Sequence, residues 1–288
     1  VKEVVVISGK GGTGKTSLSA AFVALNSNES VACDCDVDAA NLHILLGADF
    51  NNEEQFQSGH EAVIDQELCR ACGKCMRTCH FGAIGFKDGK YEVNPLLCEG
   101  CHLCATVCRI EAIHMEPRIA GKSYISRTNF GNSIVHAELA PTAENSGKLV
   151  SHVKSRAKDE AKKESAKYIL VDGSPGVGCS VIASVSGADL VAIVAEGSVS
   201  GLHDLKRVHQ LCKDFKLKCV ALINKWDLNM DASSEIEKYL NEQNVPLVGK
   251  IPYSKEFWES LKENKTLIEN PNFKGEIASM WQKIDSYM

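Results

Sequence analysis

The segment Gly9-Lys10-Gly11-Gly12-Thr13-Gly14-Lys15-Thr16 constrains this chain more than any other. It follows an apolar run, Val4-Val5-Val6-Ile7, and precedes a helical pattern from Ser17 to Leu25. Strand, glycine-rich turn and helix in that order form a phosphate-binding loop. The glycines let successive backbone N–H groups turn inward around an anion, and the helix directs its N-terminus at the same place. Lys15 is placed to reach the β- and γ-phosphates of a nucleotide, and the Thr16 hydroxyl to sit on Mg2+. Gly9, Lys10, Gly11, Gly12, Thr13, Gly14, Lys15, Thr16 and Ser17 are the expected nucleotide contacts, with ATP and Mg2+ as ligands.

Further apolar runs without alternation occur at Ser30–Cys33, Tyr168–Val171, Leu190–Val194 and Cys219–Ile223, separated by helical segments. That rhythm predicts an α/β fold, a mostly parallel P-loop NTPase sheet covered by helices on both faces. Acidic residues stand where two strands end: Asp34, Asp36 and Asp38 after the second strand, and Asp172 before Gly173-Ser174-Pro175-Gly176. The lysine-rich stretch Lys154–Lys167 alternates with acids and reads as a solvated helix face. Asn129–Asn132 and Pro141 predict an irregular connection. Near the C-terminus, Trp258, Leu261, Ile277, Met280, Trp281 and Ile284 recur at helical spacing and are expected in the core.

Thirteen cysteines is an odd number, and eight of them form an array. Cys69, Cys72, Cys75 and Cys79 are spaced C-x2-C-x2-C-x3-C, and Cys98, Cys101, Cys104 and Cys108 repeat that spacing 29 residues on. Ala83-Ile84 and Ala112-Ile113 repeat with them, which points to an internal duplication. The spacing suits iron–sulfur ligands better than a disulfide framework or structural zinc. The expectation is an inserted ferredoxin-like 2[4Fe-4S] domain. In the two-cluster pattern the fourth cysteine of each run serves the other cluster. One set is then Cys69, Cys72, Cys75 and Cys108, and the other Cys98, Cys101, Cys104 and Cys79. His80 and Arg109 stand where such runs usually carry proline. Of the other five, Cys33 and Cys219 read as buried strand residues and Cys212 as a helix residue. Cys35 lies inside the first acidic turn, where it could touch a partner or nothing, and Cys179 lies seven residues past Asp172. The expected division is 1–62 and 118–288 for the two parts of the nucleotide domain, with 63–117 as the insert.

The form K-G-G-x-G-K-T resembles the deviant Walker A ATPases, a family that includes the Min cell-division ATPase, the nitrogenase iron protein and the Mrp-type cluster carriers. The resemblance covers the framework outside the insert. It implies that Lys10 reaches across a nucleotide-sandwich dimer to the partner's phosphates. It implies that carboxylates of the first acidic turn, with Asp34 and Asp38 favoured and the division between them open, hold hydrated Mg2+ and orient the attacking water. Lys10, Lys15, Asp34 and Asp38 are thus the expected catalytic set. Asp172 and the glycines after it resemble the Walker B and switch II segment, and Asn224 the adenine-contacting position. A nitrogenase-like intersubunit role for Cys179 is conceivable on the same resemblance, and a packed thiol is favoured over it.

The formal net charge of −5, with acids dispersed among the bases, excludes the concentrated basic face of a nucleic-acid binder. The apolar runs fall short of the ~20 residues of a membrane span. The chain opens directly on a strand, so no signal peptide is expected, and cysteine clusters of this kind suit the cytoplasm. The functional expectation is an ATPase that couples nucleotide state to electron transfer. Its partners would be a redox or iron–sulfur protein and either a second copy or a paralogue. The alternatives are a cluster carrier or assembly ATPase, and a redox-sensing positioning ATPase.

Overall fold

The computed structural model describes residues 1–141, 143 and 145–288, except the side chains at 258, 260 and 261. The chain divides into two compact units, one of residues 1–54, 123–139 and 146–288, the other of 55–122 and 140–145. The strands are β1 (Lys2–Ser8), β2 (Ser30–Asp34), β3 (Glu54–Ile64), β4 (Ile84–Lys87), β5 (Lys90–Val93), β6 (Ile113–Arg127), β7 (Ser133–Leu139), β8 (Tyr168–Pro175), β9 (Leu190–Glu196), β10 (Cys219–Asn224) and β11 (Leu247–Ile251). The helices are α1 (Lys15–Leu25), α2 (Leu42–Leu45), α3 (Lys74–Thr78), α4 (Leu103–Val107), α5 (Ser146–Lys163), α6 (Cys179–Val185), α7 (Val199–Asp214), α8 (Met230–Glu242), α9 (Lys255–Lys262) and α10 (Pro271–Ser286).

In the larger unit the strands run in the order β11-β10-β9-β1-β8-β2-β7. The pairs β10/β11, β9/β10, β1/β9, β1/β8, β2/β8 and β2/β7 are all parallel. Parallel strands need helical crossovers, and the crossovers cover both faces, so the strands are mostly apolar and buried. Val4 and Val6 of β1 pack with Leu18, Phe22 and the α10 residues Ile277, Trp281 and Ile284. Phe22 and Tyr168 both meet the Trp281 ring, at 5.6 and 5.2 Å between centroids. Val5 and Ile7, also fully buried, point to the other face, where α5, α6 and α7 lie against β7, β8 and β9.

The sequence expectations for the C-terminal core hold at Ile277, Met280, Trp281 and Ile284, all buried on α10. Trp258 and Leu261 lie outside the described residues. Asn129–Asn132 is a tight turn instead of an irregular connection: Thr128 N–H donates to the Asn132 carbonyl and brings β6 beside β7. Lys154 is not part of a solvated face. The inner stripe of α5, from Leu149 and Val153 to Ala157 and Ala161, carries it inside. There its Nζ lies 2.7 Å from Glu3 Oε1 and donates to the carbonyls of Ser184 and Ser186 at 2.5 and 2.7 Å. A charge is tolerated in that position because it is paired and hydrogen-bonded.

The smaller unit has its own core, in which Ala62, Ile64, Ala83, Ile84, Tyr91 and Ile113 enclose Cys75 and Cys98. The duplication is visible in the backbone. Left-handed residues occur at Ala71 and Gly100, at Gly73 and His102, and at Gly82 and Glu111, the same offset as the cysteine runs. Gly73 and His102 stand immediately before α3 and α4. β4 and β5 form an antiparallel hairpin.

Behind the first acidic turn of the larger unit, the His43 and His136 rings stack at 5.0 Å, with Phe50 edge-on to both. His136 is fully buried, its Nε2 is 3.0 Å from Ser126 Oγ, and burial pulls its pKa down from 6.5 to about 4. Its folded-state pKa is depressed, so the unfolded chain takes up the extra proton and stability falls as the pH drops from 6.5 towards 4. Each unit in that window costs about 1.4 kcal/mol. Urea unfolding of wild type and His136→Phe at pH 7.5 and 5 should show the wild type losing about 2 kcal/mol more than the variant. Asp34 titrates oppositely in both proteins and cancels in that difference. Equal losses would refute the assignment.

Candidate active site

The phosphate loop leaves the C-terminal end of β1 between β8 and β9, where ligands of open α/β sheets bind. It borders a cavity of about 840 Å3, a volume suited to a nucleotide, whose wall includes Lys10–Ser17, Asp36, Asp38, Asn224 and Phe257. Gly12 and Gly14 hold φ values of +77° and +90°, which side chains with a Cβ rarely adopt. At Gly14 a Cβ would also collide with Asn224 Nδ2. Asn224 ends β10 and donates from Nδ2 to the Thr13 carbonyl at 2.7 Å. It therefore buttresses the loop from beneath as well as lining the cavity.

Lys15 is buried at the first turn of α1. Its Nζ lies 2.9 Å from Asp172 Oδ1 and 3.7 Å from Asp36 Oδ2. Burial pulls its pKa down, but Asp172, Asp34 and Asp36 outweigh that effect and hold the ammonium charged. Asp172 and Asp34 sit at one level of the sheet, on the adjacent strands β8 and β2. Asp34 is fully buried, and burial, reinforced by the Asp172 charge, pushes its carboxyl up to about 7. Both Asp34 oxygens accept backbone N–H groups, from Asp36 at 3.0 Å and Leu42 at 3.1 Å. Asp34 thus shapes the acidic turn from inside, while Asp36 and Asp38 face the cavity. Sequence reasoning placed Asp36 in the acidic run but favoured Asp34 and Asp38 over it. Its only signal was a place in the acidic run, and which of the three would face the cavity depended on the turn.

Lys10 Nζ pairs with Glu196 Oε2 at 2.5 Å and lies 2.9 Å from Ser200 Oγ. Lys225 Nζ reaches the same glutamate at 2.9 Å and the Gly12 carbonyl at 3.0 Å. Burial alone would raise Glu196, but the two lysines hold it below the usual range. Glu196 and Ser200 carry no motif in the sequence and are recognised only by this convergence, while Lys225 stands out in the sequence only as the neighbour of Asn224. Cys35 is buried with its Sγ 3.7 Å from that of Cys33, and its carbonyl accepts from Ser174 Oγ at 2.7 Å. Cys212 is buried, Cys219 half-buried, and Cys179 exposed at the start of α6.

The structure places the eight array cysteines around two small apolar cavities of the smaller unit. Cys69, Cys72, Cys75 and Cys108 line one, and Cys79, Cys98, Cys101 and Cys104 the other. The expected metal assignment is corrected. Among the described residues, no group of three or more His, Cys, Asp or Glu side chains is arranged to hold a metal ion. Cys75 and Cys98 are packed into the apolar core instead. Burial pushes the Cys75 and Cys104 thiols up. The two [4Fe-4S] clusters, the ferredoxin-like 2[4Fe-4S] reading of the insert, the redox or iron–sulfur partner and the electron-transfer function are withdrawn with it.

Residues 4–268 match the CobQ/CobB/MinD/ParA nucleotide binding domain. The protein MJ0578 of Methanocaldococcus jannaschii is 32% identical over 232 residues, 80% of each chain. A stretch of 53 residues is 36% identical to pyruvate synthase subunit PorD of Methanothermobacter marburgensis, covering 18% of this chain and 62% of that one. Among solved structures, the septum site-determining protein MinD of Pyrococcus horikoshii, complexed with Mg-ADP, superposes with a TM-score of 0.59 at 18% identity, covering 99% and 96% of the two chains. The MinC:MinD cell division complex of Aquifex aeolicus gives 0.58 at 17% identity, covering 99% and 96%. At these identities the structures show a shared fold. Among the described residues, no helix is long and apolar enough to cross a membrane.

Gly14→Ala should abolish measurable binding of a fluorescent ATP analogue while circular dichroism still reports a folded chain. Wild-type affinity in that variant would refute the placement of the loop. With a phosphate loop at the end of β1 and a family match running through most of its length, the chain belongs to the CobQ/CobB/MinD/ParA nucleotide-binding family.

Proposed function

We propose that this chain is a Mg2+-dependent ATPase that works as a nucleotide-driven positioning switch, forming a dimer and engaging a protein partner in one nucleotide state. The observation that carries this reading is Lys15, buried and charged between Asp172 and Asp36 at the mouth of a nucleotide-sized cavity. An ammonium there can leave Asp36 for a phosphate without crossing open solvent. The family match and the MinD-like fold support the positioning role.

In this reading the backbone N–H groups of residues 11–16 cradle the phosphates and Lys15 neutralises their outer charge. Bound Mg2+ would supply further neutralisation of the phosphate oxygens. The residues present fit it: Asp172 Oδ2 is a buried carboxylate oxygen without a hydrogen-bond partner among the described residues, and Thr16, next to Lys15 in sequence, lines the cavity. Asp36, at the cavity wall, orients the attacking water. Asp38 serves the same wall. Lys10 exchanges Glu196 for the phosphates of a second chain, by the resemblance of the K-G-G-x-G-K-T form. The thirteen cysteines are all unbridged thiols, which fits a cytoplasmic location.

Wild type should hydrolyse ATP in a Mg2+-dependent way. Lys15→Ala and Asp36→Ala should each lower kcat at least 100-fold. Unimpaired hydrolysis in Lys15→Ala would sink the reading. Lys10→Ala should abolish ATP-dependent dimerisation in light scattering, and a chain that stays monomeric with ATP in the wild type would remove the dimer from it.

A further inference from the structure

Ser19 lies one turn beyond Lys15 on α1 and is almost fully buried. Its Oγ is 2.7 Å from Asp172 Oδ1 and 3.0 Å from the Lys15 carbonyl. A hydroxyl has one proton to give, and the shorter, charge-assisted bond to the carboxylate takes it. Asp172 Oδ1 therefore receives two donors, Ser19 Oγ and Lys15 Nζ at 2.9 Å. Its other oxygen, Oδ2, is buried and has no hydrogen-bond partner among the described residues. A buried carboxylate oxygen without a donor is costly, and such an atom calls for a ligand.

We infer that Ser19 is a positioning residue that fixes the Asp172 carboxylate so that Oδ2 stays presented to the hydrated Mg2+ of the nucleotide complex. The inference deepens the proposed function and rests on it. Two features separate Ser19 from an ordinary helix hydroxyl. Mid-helix serines satisfy themselves on the carbonyl four residues back. Ser19 has that carbonyl within reach, yet its shorter contact is to a strand residue far away in sequence. The second feature is timing. Lys15 is drawn towards phosphate when nucleotide binds, which weakens its hold on Asp172. Ser19 is not a phosphate ligand, so its bond persists through the nucleotide cycle. Without it the carboxylate is free to rotate and to follow Lys15, taking Oδ2 out of register with the metal. Asp34, the neighbour of Asp172 in the sheet, cannot substitute. Both of its oxygens are already engaged by the backbone N–H groups that hold the acidic turn.

The test is a Mg2+ titration of nucleotide binding, read by fluorescence of an N-methylanthraniloyl ATP analogue, on wild type, Ser19→Ala and Ser19→Thr. The same three proteins are titrated with nucleotide in EDTA, and their thermal unfolding is recorded. Ser19→Ala should raise the Mg2+ concentration for half-maximal effect about tenfold or more. Its metal-free nucleotide affinity should move less than twofold, and Ser19→Thr, which keeps the hydroxyl, should restore most of the Mg2+ response. An unchanged Mg2+ midpoint in Ser19→Ala would overturn the inference. So would a loss of metal-free affinity equal to the loss with Mg2+, the pattern of a general packing defect. If Ser19→Ala does not fold, Ser19→Cys, with its weak donor, replaces it and should show the same selective shift. Because the readout is binding, a wild type that binds Mg-ATP without hydrolysing it would count against the proposed function and leave this test intact.

Discussion

The buried contact between Lys15 and Asp172 is the interaction around which the nucleotide site is arranged. Both groups are removed from water, so neither can be left alone. Deleting one partner of such a pair costs about 3–5 kcal/mol. The pair joins the first turn of α1 to the end of β8, and through sheet register to Asp34 on β2. The hydrogen bonds of Asp34 set the acidic turn, which in turn brings Asp36 to the cavity. One ion pair thereby ties together the first turn of α1, the end of β8 and, through register, the end of β2.

The supports around that pair share a logic. Asn224 holds the loop from below through the Thr13 carbonyl. Lys225 holds it from the side through the Gly12 carbonyl, and Glu196 ties Lys225 to Lys10. Ser174 ties the turn after β8 to the Cys35 carbonyl, while Cys35 N–H returns to the Asp172 carbonyl at 2.8 Å. The acidic turn after β2 and the turn after β8 are therefore linked through the backbone of Cys35. A change at one is transmitted through hydrogen bonds of fixed geometry instead of through loose packing. Such a linkage suits a protein whose nucleotide states must differ in shape.

The smaller unit behaves differently. It folds around an apolar centre built from two copies of one pattern, and its left-handed residues repeat at the same interval as its cysteines. The cysteines converge on two cavities, so their repeat expresses an arrangement in space and not only in sequence. The expected metal chemistry was inferred from ligand spacing, and spacing alone does not determine whether thiols are poised as ligands or packed as small apolar groups.

The phosphate loop, its lysines and the parallel α/β frame were legible in the residues, because each is a local pattern: glycines at a turn, an apolar run of strand length, a helix start. The buried C-terminal stripe at Ile277, Met280, Trp281 and Ile284 was legible for the same reason, as helical periodicity. Lys154, Asp36, Glu196 and Ser19 were not. Each acquires its role from a partner more than fifteen residues away: Glu3, Lys15, Lys10 and Asp172. A lysine on an acid-rich helix reads as solvated until the fold places that turn of the helix against the sheet. A serine in a helix reads as neutral until a strand end brings a carboxylate to it. Sequence by itself determined the phosphate loop, the main parallel strands and the C-terminal helical stripe, which depend on backbone geometry over a few residues. Only the tertiary structure decided which polar groups are buried and therefore compelled to pair, because burial is a property of the packed sheet and its covering helices.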